Sequence, residues 1–192
     1  MTQRHVAQRG LFHVTTNAKG RIPWCTFSGI PEILIENLFM TRNLHRARVF
    51  AFCILPDHQH LIVSPGEAGL SAFMHSFIRN AMRDIRSLFG HSDPAPTSTF
   101  PPSQRKIVSS ASFTDSASQM VFVRAQYTID DIAWQKSFHD EILRDTPQRD
   151  AALAYVRGNA ARHGLVTDPA DWPWSSLRFP GLVDGFGEED LW

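Results

Sequence analysis

The sequence predicts one two-layer α+β domain in which helices pack on an antiparallel sheet. Its 192 residues suffice for a single domain with its own core and are few for two ordinary domains. A hydrophobic content of 43% and a charged content of 20% are typical of a folded protein. Strand-like segments alternate with segments of helical period, which favours an α+β fold. We therefore expect one domain over residues 1–180 and an acidic tail over 181–192.

The first half of the chain predicts a strand, a helix and a pair of strands. Leu11–Asn17 is rich in aromatic and β-branched residues and leads into the turn-prone residues 17–20. Residues 31–43 place apolar side chains on one helical stripe and begin with a proline, which suits a first turn. Arg48–Leu55 and residues 58–63 flank the turn-forming pair Pro56-Asp57, so we expect them to form a β-hairpin.

The second half adds a long helix, an insertion and a C-terminal helix. Residues 70–88 have apolar side chains at steps of four, which is typical of an amphipathic helix. Residues 91–119 are dominated by Ser, Thr and Pro, which predicts a flexible insertion, and the apolar run 120–123 is a candidate strand. Order resumes at 134–144, and a Thr-Pro pair suited to an N-cap and first turn begins a helix over 146–163. This order favours a ferredoxin-like sandwich with the helices on one face of the sheet.

Charge and cysteine usage narrow the range of functions. The 19 basic and 19 acidic side chains give no net field, which counts mildly against nucleic-acid binding, although local clusters matter more than totals. Arg79 and Arg83 lie at helical spacing, typical either of a solvated helix face or of a phosphate-binding surface. Two cysteines support no disulfide framework and fit a reducing compartment. Because the chain has no signal-like start and no membrane-spanning run, we expect a cytoplasmic protein without a membrane partner.

Two histidines one residue apart are the strongest chemical signal. His58 and His60 begin an apolar strand within the segment Leu-Pro-Asp-His-Gln-His-Leu at 55–61. Alternate side chains of a strand point to the same face, so the two imidazoles can bind one metal ion. Two other interpretations stay open: chance occurrence on a solvated strand face, and a zinc site completed by Cys53. Zinc prefers four ligands, and a fourth is not evident.

A second signal lies on the C-terminal helix. Tyr155 and Asn159 are four residues apart and share a helix face. A carboxamide oxygen can complete a metal site begun by two imidazoles, and a phenol one turn away can attack a metal-bound phosphate. The alternative is that Tyr155 is an ordinary half-buried packing residue. Gly158 suggests that another backbone or a ligand approaches the helix closely here. Glycine within a helix costs about 1 kcal/mol relative to alanine, and such an approach is a common reason for it. Tyr127 has no polar partner in helical register and is the weaker candidate.

Four motifs occur in a characteristic order along the chain. They are the histidine segment, Trp-Gln-Lys-Ser-Phe-His-Asp at 134–140, the helix end at 155–166 and Asp-Trp-Pro-Trp-Ser-Ser at 171–176. Together they resemble the single-tyrosine HUH transposases, in particular the REP-associated tyrosine transposase branch. The resemblance spans about residues 12–178 apart from the Ser/Thr/Pro-rich insertion.

The resemblance implies a ferredoxin-like nuclease that cuts single-stranded DNA next to hairpins and transfers the cut strand. His58 and His60 match the metal ligands of the family, and Asn159 matches the helix residue that completes the metal site. Tyr155 matches the nucleophile, which forms a 5′-phosphotyrosine link. The expected cofactor is Mg²⁺ or Mn²⁺, and the two imidazoles favour Mn²⁺.

DNA contacts are expected from cationic and aromatic side chains. Arg157 and Arg162 lie on the helix of the matched nucleophile, where they can assist its attack and bind DNA. Trp172 and Trp174 either stack on unpaired bases or anchor the C-terminal segment to the core. With Arg79 and Arg83 these residues form the expected surface for single-stranded or hairpin DNA. The REP-associated branch favours a monomer over a homodimer.

Several departures from the family pattern bear on activity. Gln59 stands where a bulky apolar residue is usual, at a position that points away from the histidines and is expected to be solvated. Glu141 stands where a histidine is common, and a carboxylate repels DNA phosphate. Ala160 replaces a common proline. Glu141 and the neutral net charge motivate an alternative function, a hairpin-binding protein that no longer cuts DNA.

Overall fold

The fold is a four-stranded antiparallel sheet flanked by helices. The computed structural model describes residues 10–90 and 128–187. The strand order is β2-β3-β1-β4, so β3 and β1 are the interior strands. The predicted α+β class is confirmed. Within the described residues the strands are β1 (Leu11–Asn17), β2 (Arg48–Leu55), β3 (His58–Ser64) and β4 (His139–Leu143), and the helices are α1 (Ile30–His45), α2 (Gly69–Leu88), α3 (Thr146–Arg157) and α4 (Asn159–Arg162).

The long helices α1 and α2 cover one face of the sheet. Alternate residues of β1 and β3 point toward them, and the side chains of this layer are almost entirely buried. This is the helical face that the sequence predicts. No helix in the described residues combines the length and apolar character needed to cross a bilayer. The core of this face includes Phe12, Val14, Leu34, Leu38, Phe52, Leu61, Val63, Phe73 and Phe77.

The shorter helices α3 and α4 cover part of the opposite face. Val156 of α3 and Ala160 of α4 pack against Leu11, Cys53 and Ile62 in a second, smaller core. The sheet therefore has helices on both faces, whereas the sequence predicted them on one face only. His58 and His60 of β3 also point to this opposite face.

The C-terminal helix differs from its predicted form at its start and near its end. Its N-cap is Asp145, whose carboxylate accepts a hydrogen bond from the Gln148 backbone N–H at 2.8 Å, so Thr146 is already helical. Gly158 ends α3 with φ −85° and ψ 0°, and α4 follows directly. A β-carbon at Gly158 would lie 3.1 Å from the carbonyl oxygen of Ala154. The nearest neighbour of Gly158 is therefore a carbonyl oxygen of the preceding helical turn, at the break between α3 and α4.

The fourth described strand lies in a segment for which the sequence predicted order but no strand. Residues 134–144 were expected to be ordered, and within them His139–Leu143 forms β4, paired with β1. This edge strand contains Asp and Glu, which have low strand propensity, so composition alone does not reveal it. The predicted insertion at 91–119, the candidate strand at 120–123, Tyr127 and the last residues from 188 lie outside the described residues.

The segment after α4 runs along the edge strand β2. The Ile54 backbone N–H donates to the Trp174 carbonyl at 2.9 Å, and the Trp172 indole N–H donates to the Ile54 carbonyl at 2.8 Å. Farther along, the Asp184 backbone N–H donates to the Val49 carbonyl at 2.8 Å, and the Asp184 carboxylate accepts from the Val49 N–H. The segment thereby satisfies backbone groups of β2 that an open sheet edge would expose.

Candidate active site

The two predicted metal ligands lie on one face of an interior strand. His58 and His60 are the first and third residues of β3, next to the turn, and they are 5% and 4% exposed. Leu61 and Val63 have the opposite orientation and enter the core beneath α1 and α2. The imidazoles therefore lie on the face covered by α3 and α4, with their ring centroids 5.0 Å apart.

Each imidazole is held through its Nδ1 atom. Nδ1 of His58 lies 2.6 Å from Oδ1 of Asp57. Nδ1 of His60 lies 3.0 Å from Oγ1 of Thr15 and 3.2 Å from Nε2 of His13. A proton on Nδ1 leaves the Nε2 lone pair free to bind a metal. Nε2 of His60 is buried and has no hydrogen-bond partner in the described part of the chain.

An arginine in an unusual backbone conformation supports the Asp57 contact. Arg21 has φ 59°, in the left-handed region, which costs a residue other than glycine on the order of 1–3 kcal/mol. Its Nε lies 2.8 Å from Oδ2 of Asp57, and the same guanidinium donates to the Asn17 carboxamide. The arginine thus fixes the carboxylate that holds His58.

Burial favours the neutral form of the imidazoles. It lowers the pKa of His60 to about 3, with smaller contributions in the same direction from His13 and His58. Burial also lowers the pKa of His58, against the opposing effect of its hydrogen bond to Asp57. The pKa of His13 is lowered by burial as well, against the charge of Glu141. Because the neutral imidazole is the form that binds metal, the pair is suited to a cation at neutral pH.

Tyr155 lies directly against the histidines. Its ring centroid is 5.3 Å from that of His60 and 5.7 Å from that of His13, in edge-on arrangements. The guanidinium of Arg162 lies over the Tyr155 ring, 5.3 Å from the ring centroid. Tyr155 is 36% exposed, so a substrate can reach it while its ring remains positioned.

Asn159 has the features of an unused ligand. Its side chain is completely buried, yet neither its carboxamide oxygen nor its nitrogen has a hydrogen-bond partner in the described residues. It lies between Tyr155, which contacts His60, and His163, whose ring centroid is 5.2 Å from that of His58. Leaving a buried carboxamide unpaired costs about 1–3 kcal/mol. Two imidazole nitrogens and one carboxamide oxygen fit a divalent cation such as Mn²⁺.

Sequence reasoning missed four residues of this site. Thr15, Asp57 and His13 hold His58 and His60, and His163 lies beside His58. Asp57 was assigned only to a turn. His13 and Thr15 alternate along β1, which indicates a shared face, but only the pairing of β1 with β3 reveals which face that is.

Several of the residues predicted to contact DNA have no described contact with Tyr155, the predicted nucleophile. Arg79 and Arg83 belong to α2, on the opposite side of the sheet from His60, and Arg83 is hydrogen-bonded to Asp84 at 3.1 Å. Arg157 follows Tyr155 by two residues, about 200° around the helix. Of the predicted arginines, Arg162 alone has a described contact with Tyr155. DNA binding by the others remains a prediction.

The contacts of the two tryptophans match the anchoring alternative. Trp172 donates its indole N–H to the Ile54 carbonyl and packs on the smaller core. Trp174 packs against the core on the other face and accepts the Ile54 N–H at its carbonyl oxygen. Both residues therefore attach the C-terminal segment to the sheet, and base stacking by them remains a prediction.

Two other expectations are revised. Gln59 is not solvated: it is 1% exposed on the face beneath α1 and α2, and its Nε2 is buried without a partner in the described residues. The zinc alternative lacks support. Cys53 lies opposite His60 in the β2–β3 pair, but burial raises its pKa to about 12. Within 10–90 and 128–187, no three His, Cys, Asp or Glu side chains are grouped to hold a metal.

Comparison with known proteins supports the family resemblance. No family model matches the chain. A Haemophilus influenzae protein provisionally named a REP-associated tyrosine transposase is 27% identical over 128 residues, which are 67% of this chain. The match spans 57% of the length of that relative.

A solved structure shares this fold. A REP-associated tyrosine transposase bound to a REP hairpin aligns with a TM-score of 0.62 at 17% identity, covering 100% of this chain and 93% of that one. A provisionally named transposase of Deinococcus radiodurans aligns with a TM-score of 0.46 at 13% identity, covering 81% of this chain and 95% of that one, and is too distant to add weight. The fold expected from the four motifs is thereby confirmed.

Proposed function

We propose that this chain, which resembles the REP-associated tyrosine transposases, is a metal-dependent endonuclease and strand transferase acting on single-stranded DNA next to a hairpin. Tyr155 is the nucleophile, and His58, His60 and Asn159 hold Mg²⁺ or Mn²⁺. One observation supports this assignment above the others. The Tyr155 ring lies 5.3 Å from the ring of His60, whose Nε2 is buried and unpaired within the described chain.

Cleavage makes one bond and breaks one. The phenolic oxygen of Tyr155 attacks phosphorus, forms a P–O bond to the protein and displaces the 3′ oxygen. The phenol proton is released to solvent, and the 3′ oxygen takes up a proton to become a hydroxyl. Because the phosphodiester is exchanged for a phosphotyrosine ester, attack by another 3′-hydroxyl can reverse the step and join strands without ATP.

The surrounding residues position the reacting groups. A bound divalent cation would supply positive charge at the scissile phosphate. Asp57 and Thr15 orient His58 and His60 through their Nδ1 atoms, so both Nε2 atoms are available as ligands. Arg162, 5.3 Å from the Tyr155 ring, attracts the DNA backbone to the nucleophile.

Hairpin DNA is the proposed partner. The REP-associated transposase that shares this fold is bound to a REP hairpin, and the alignment covers the whole of this chain. The formal net charge is +0, so binding depends on local cations, and we expect a shallower salt dependence than for a strongly basic protein.

We infer that a single chain forms the whole site. Tyr155 and Arg162 lie against the histidine face of their own sheet, so the described site needs no residue from a second copy. Mixing Tyr155→Phe with His60→Ala protein tests this. In a monomer with its own nucleophile the mixture forms no covalent adduct, whereas a dimer that exchanges its tyrosines recovers adduct from one variant's metal site and the other's phenol.

The principal experiment is adduct formation with labelled single-stranded DNA that contains a hairpin. Wild type is incubated with Mn²⁺ or with chelator and analysed on a denaturing gel. We expect a covalent band that requires metal and is absent from Tyr155→Phe. Tyr127→Phe is the matched control, because Tyr127 is the other tyrosine of the chain, and it should form the adduct normally.

The remaining outcomes discriminate between functions. An adduct that persists in Tyr155→Phe and is lost in Tyr127→Phe would transfer the nucleophile to Tyr127. Tight hairpin binding without cleavage on a panel of hairpin substrates, unchanged by His58→Ala and His60→Ala, would favour the non-cutting DNA-binding protein.

A further inference from the structure

His13 contacts both the metal-binding histidine and the nucleophile, yet the proposed function gives it no role. Its Nε2 lies 3.2 Å from Nδ1 of His60, and its ring centroid lies 5.7 Å from that of Tyr155. We propose that His13 is a positioning residue, oriented by Glu141, that fixes His60 in the tautomer needed for metal binding and holds Tyr155 beside it. This inference depends on the proposed function of the same site.

The pairing of three strands brings these residues together. His13 lies opposite Glu141 in the β1–β4 pair, so the two side chains share one face of the sheet. His60 lies opposite Thr15, two positions along β1, which makes it the diagonal neighbour of His13. Glu141, His13 and His60 therefore follow one another across β4, β1 and β3, from the sheet edge to the metal-binding position.

The nitrogen of His60 that His13 contacts determines which role His13 can have. Its contact is with Nδ1 of His60, on the side of the ring away from the metal-binding Nε2. His13 is thus placed to orient a ligand rather than to be one. If His13 carries its proton on Nδ1, its Nε2 accepts from Nδ1–H of His60, alongside Thr15 Oγ1 at 3.0 Å. His60 then presents a free lone pair at Nε2, the atom that is buried without a partner in the described chain.

This arrangement explains the acidic residue at 141. A carboxylate at the edge of a DNA-binding site repels phosphate, and Glu141 therefore motivates the alternative of a protein that binds hairpins without cutting them. Placed opposite His13 on the neighbouring strand, the same carboxylate can accept a hydrogen bond from the imidazole and so favour the required tautomer.

Metal binding by the apoprotein tests the inference without any DNA. Mn²⁺ affinity is measured by electron paramagnetic resonance titration for wild type, His60→Ala, His13→Phe, His13→Gln and Glu141→Gln. Phenylalanine keeps a ring against Tyr155 but cannot accept a hydrogen bond, so we expect binding weakened about 10- to 100-fold, the usual effect of losing a residue that orients a ligand. Glutamine can place its carbonyl oxygen near the position of Nε2, so His13→Gln should retain most of the affinity.

The tautomer itself supplies a spectroscopic readout that a purely structural role would not change. Two-bond ¹H–¹⁵N correlation spectra of the imidazoles report which nitrogen of His60 carries the proton. Wild type should show the Nδ1–H form, and His13→Phe and Glu141→Gln should shift it toward Nε2–H. His75→Phe, an exposed histidine on α2, is the matched control and should leave both affinity and tautomer unchanged.

The outcomes separate the inference from the proposed function. Wild-type Mn²⁺ binding that is lost in His60→Ala but unchanged in His13→Phe overturns the role of His13 and leaves the metal site intact. Binding that is equally strong in His60→Ala shows that the metal site itself is misassigned, and the role of His13 falls with it. Weakened binding and a shifted tautomer in His13→Phe, restored in His13→Gln, support the inference.

Discussion

The two faces of the sheet are built from the same strands but have opposite chemistry. On the face beneath α1 and α2, β1 and β3 contribute Phe12, Val14, Leu61 and Val63 to a closed apolar core. On the other face the alternate positions of the same strands include His13 and His60, beneath the short helices α3 and α4. Because side chains alternate along a strand, a single pair of strands carries the larger apolar core on one face and the candidate site on the other.

The two faces contribute differently to the free energy of folding. Burying aliphatic and aromatic side chains contributes about 1.5–3 kcal/mol each to folding, so the α1/α2 face stabilises the domain. Buried polar atoms without partners occur on both faces within the described residues, and each opposes folding; on the α3/α4 face they include His60 Nε2 and the Asn159 carboxamide of the candidate site. The larger apolar core beneath α1 and α2 compensates for this cost.

The largest expected effect is the loss of a core aromatic side chain on the α1/α2 face. Phe73 of α2 is completely buried, so Phe73→Ala should lower the free energy of unfolding by about 3–5 kcal/mol, as measured by urea denaturation. At temperatures where the variant is folded, Mn²⁺ affinity should be unchanged, because Phe73 lies across the sheet from the histidines. A parallel loss of metal affinity in the folded variant would mean that the two faces are coupled.

Replacing a buried carboxamide by an apolar side chain is expected to change the free energy of unfolding by a smaller amount and in the opposite direction. Asn159 has two unpaired polar atoms, so Asn159→Leu should raise the free energy of unfolding of the metal-free protein by about 1–2 kcal/mol. The same variant should lose Mn²⁺ affinity, since the carboxamide oxygen is a proposed ligand. Both quantities can be measured on one preparation, by urea denaturation and by metal titration.

Gln59→Leu is the matched control on the other face. Gln59 Nε2 is also buried and unpaired in the described residues, so leucine should again be tolerated or stabilising, by about 1 kcal/mol or less. Gln59 points away from the site, and Mn²⁺ affinity should therefore stay at the wild-type value. Equal loss of metal affinity in both variants would contradict the assignment of Asn159 as a ligand.

The elements that sequence predicted well are those whose pattern is local. The aromatic and β-branched segment Leu11–Asn17 and the two segments around the turn Pro56-Asp57 form β1, β2 and β3, within one residue of the expected bounds. The apolar steps of four in residues 70–88 likewise predicted α2. In each case the signal is composition, turn residues or periodicity within a short segment, which needs no knowledge of the partner element.

What sequence could not supply is the register between strands. His13 and Glu141 are 128 residues apart in numbering and become neighbours only because β1 pairs with β4. The burial of Gln59 likewise follows from its position in an interior strand, whereas its polarity suggested exposure. Residues within one motif, such as His58 and His60, could be assigned to one face, but the residues that orient them come from other strands.

DNA binding provides the next, smaller contrast between the faces. Arg162 lies over Tyr155, so Arg162→Ala should weaken binding of single-stranded DNA and reduce the slope of log affinity against log salt by about 0.7, as for one phosphate contact. Arg79→Ala, on the exposed surface of α2, tests the DNA contact predicted there, and unchanged affinity and slope would confine the DNA-binding surface to the face that carries Tyr155. Fluorescence anisotropy over a salt series measures both quantities. An equal effect of Arg79→Ala would extend the DNA-binding surface around the sheet edge to α2.

The smallest expected effect concerns the two cysteines, one beneath each helical layer. Cys25 belongs to the α1/α2 core and Cys53 to the α3/α4 core, and burial raises the pKa of both thiols, that of Cys53 to about 12. Neither should react appreciably with iodoacetamide in the native protein, because thiolate and access are both lacking. In low urea, peptide mapping by mass spectrometry should show Cys53 reacting before Cys25. Cys53 is covered by short helices on a small core, so local opening is expected to expose it, whereas Cys25 requires disruption of the larger core. Earlier reaction at Cys25 would show that the site face, despite its unpaired polar atoms, is the more rigid of the two.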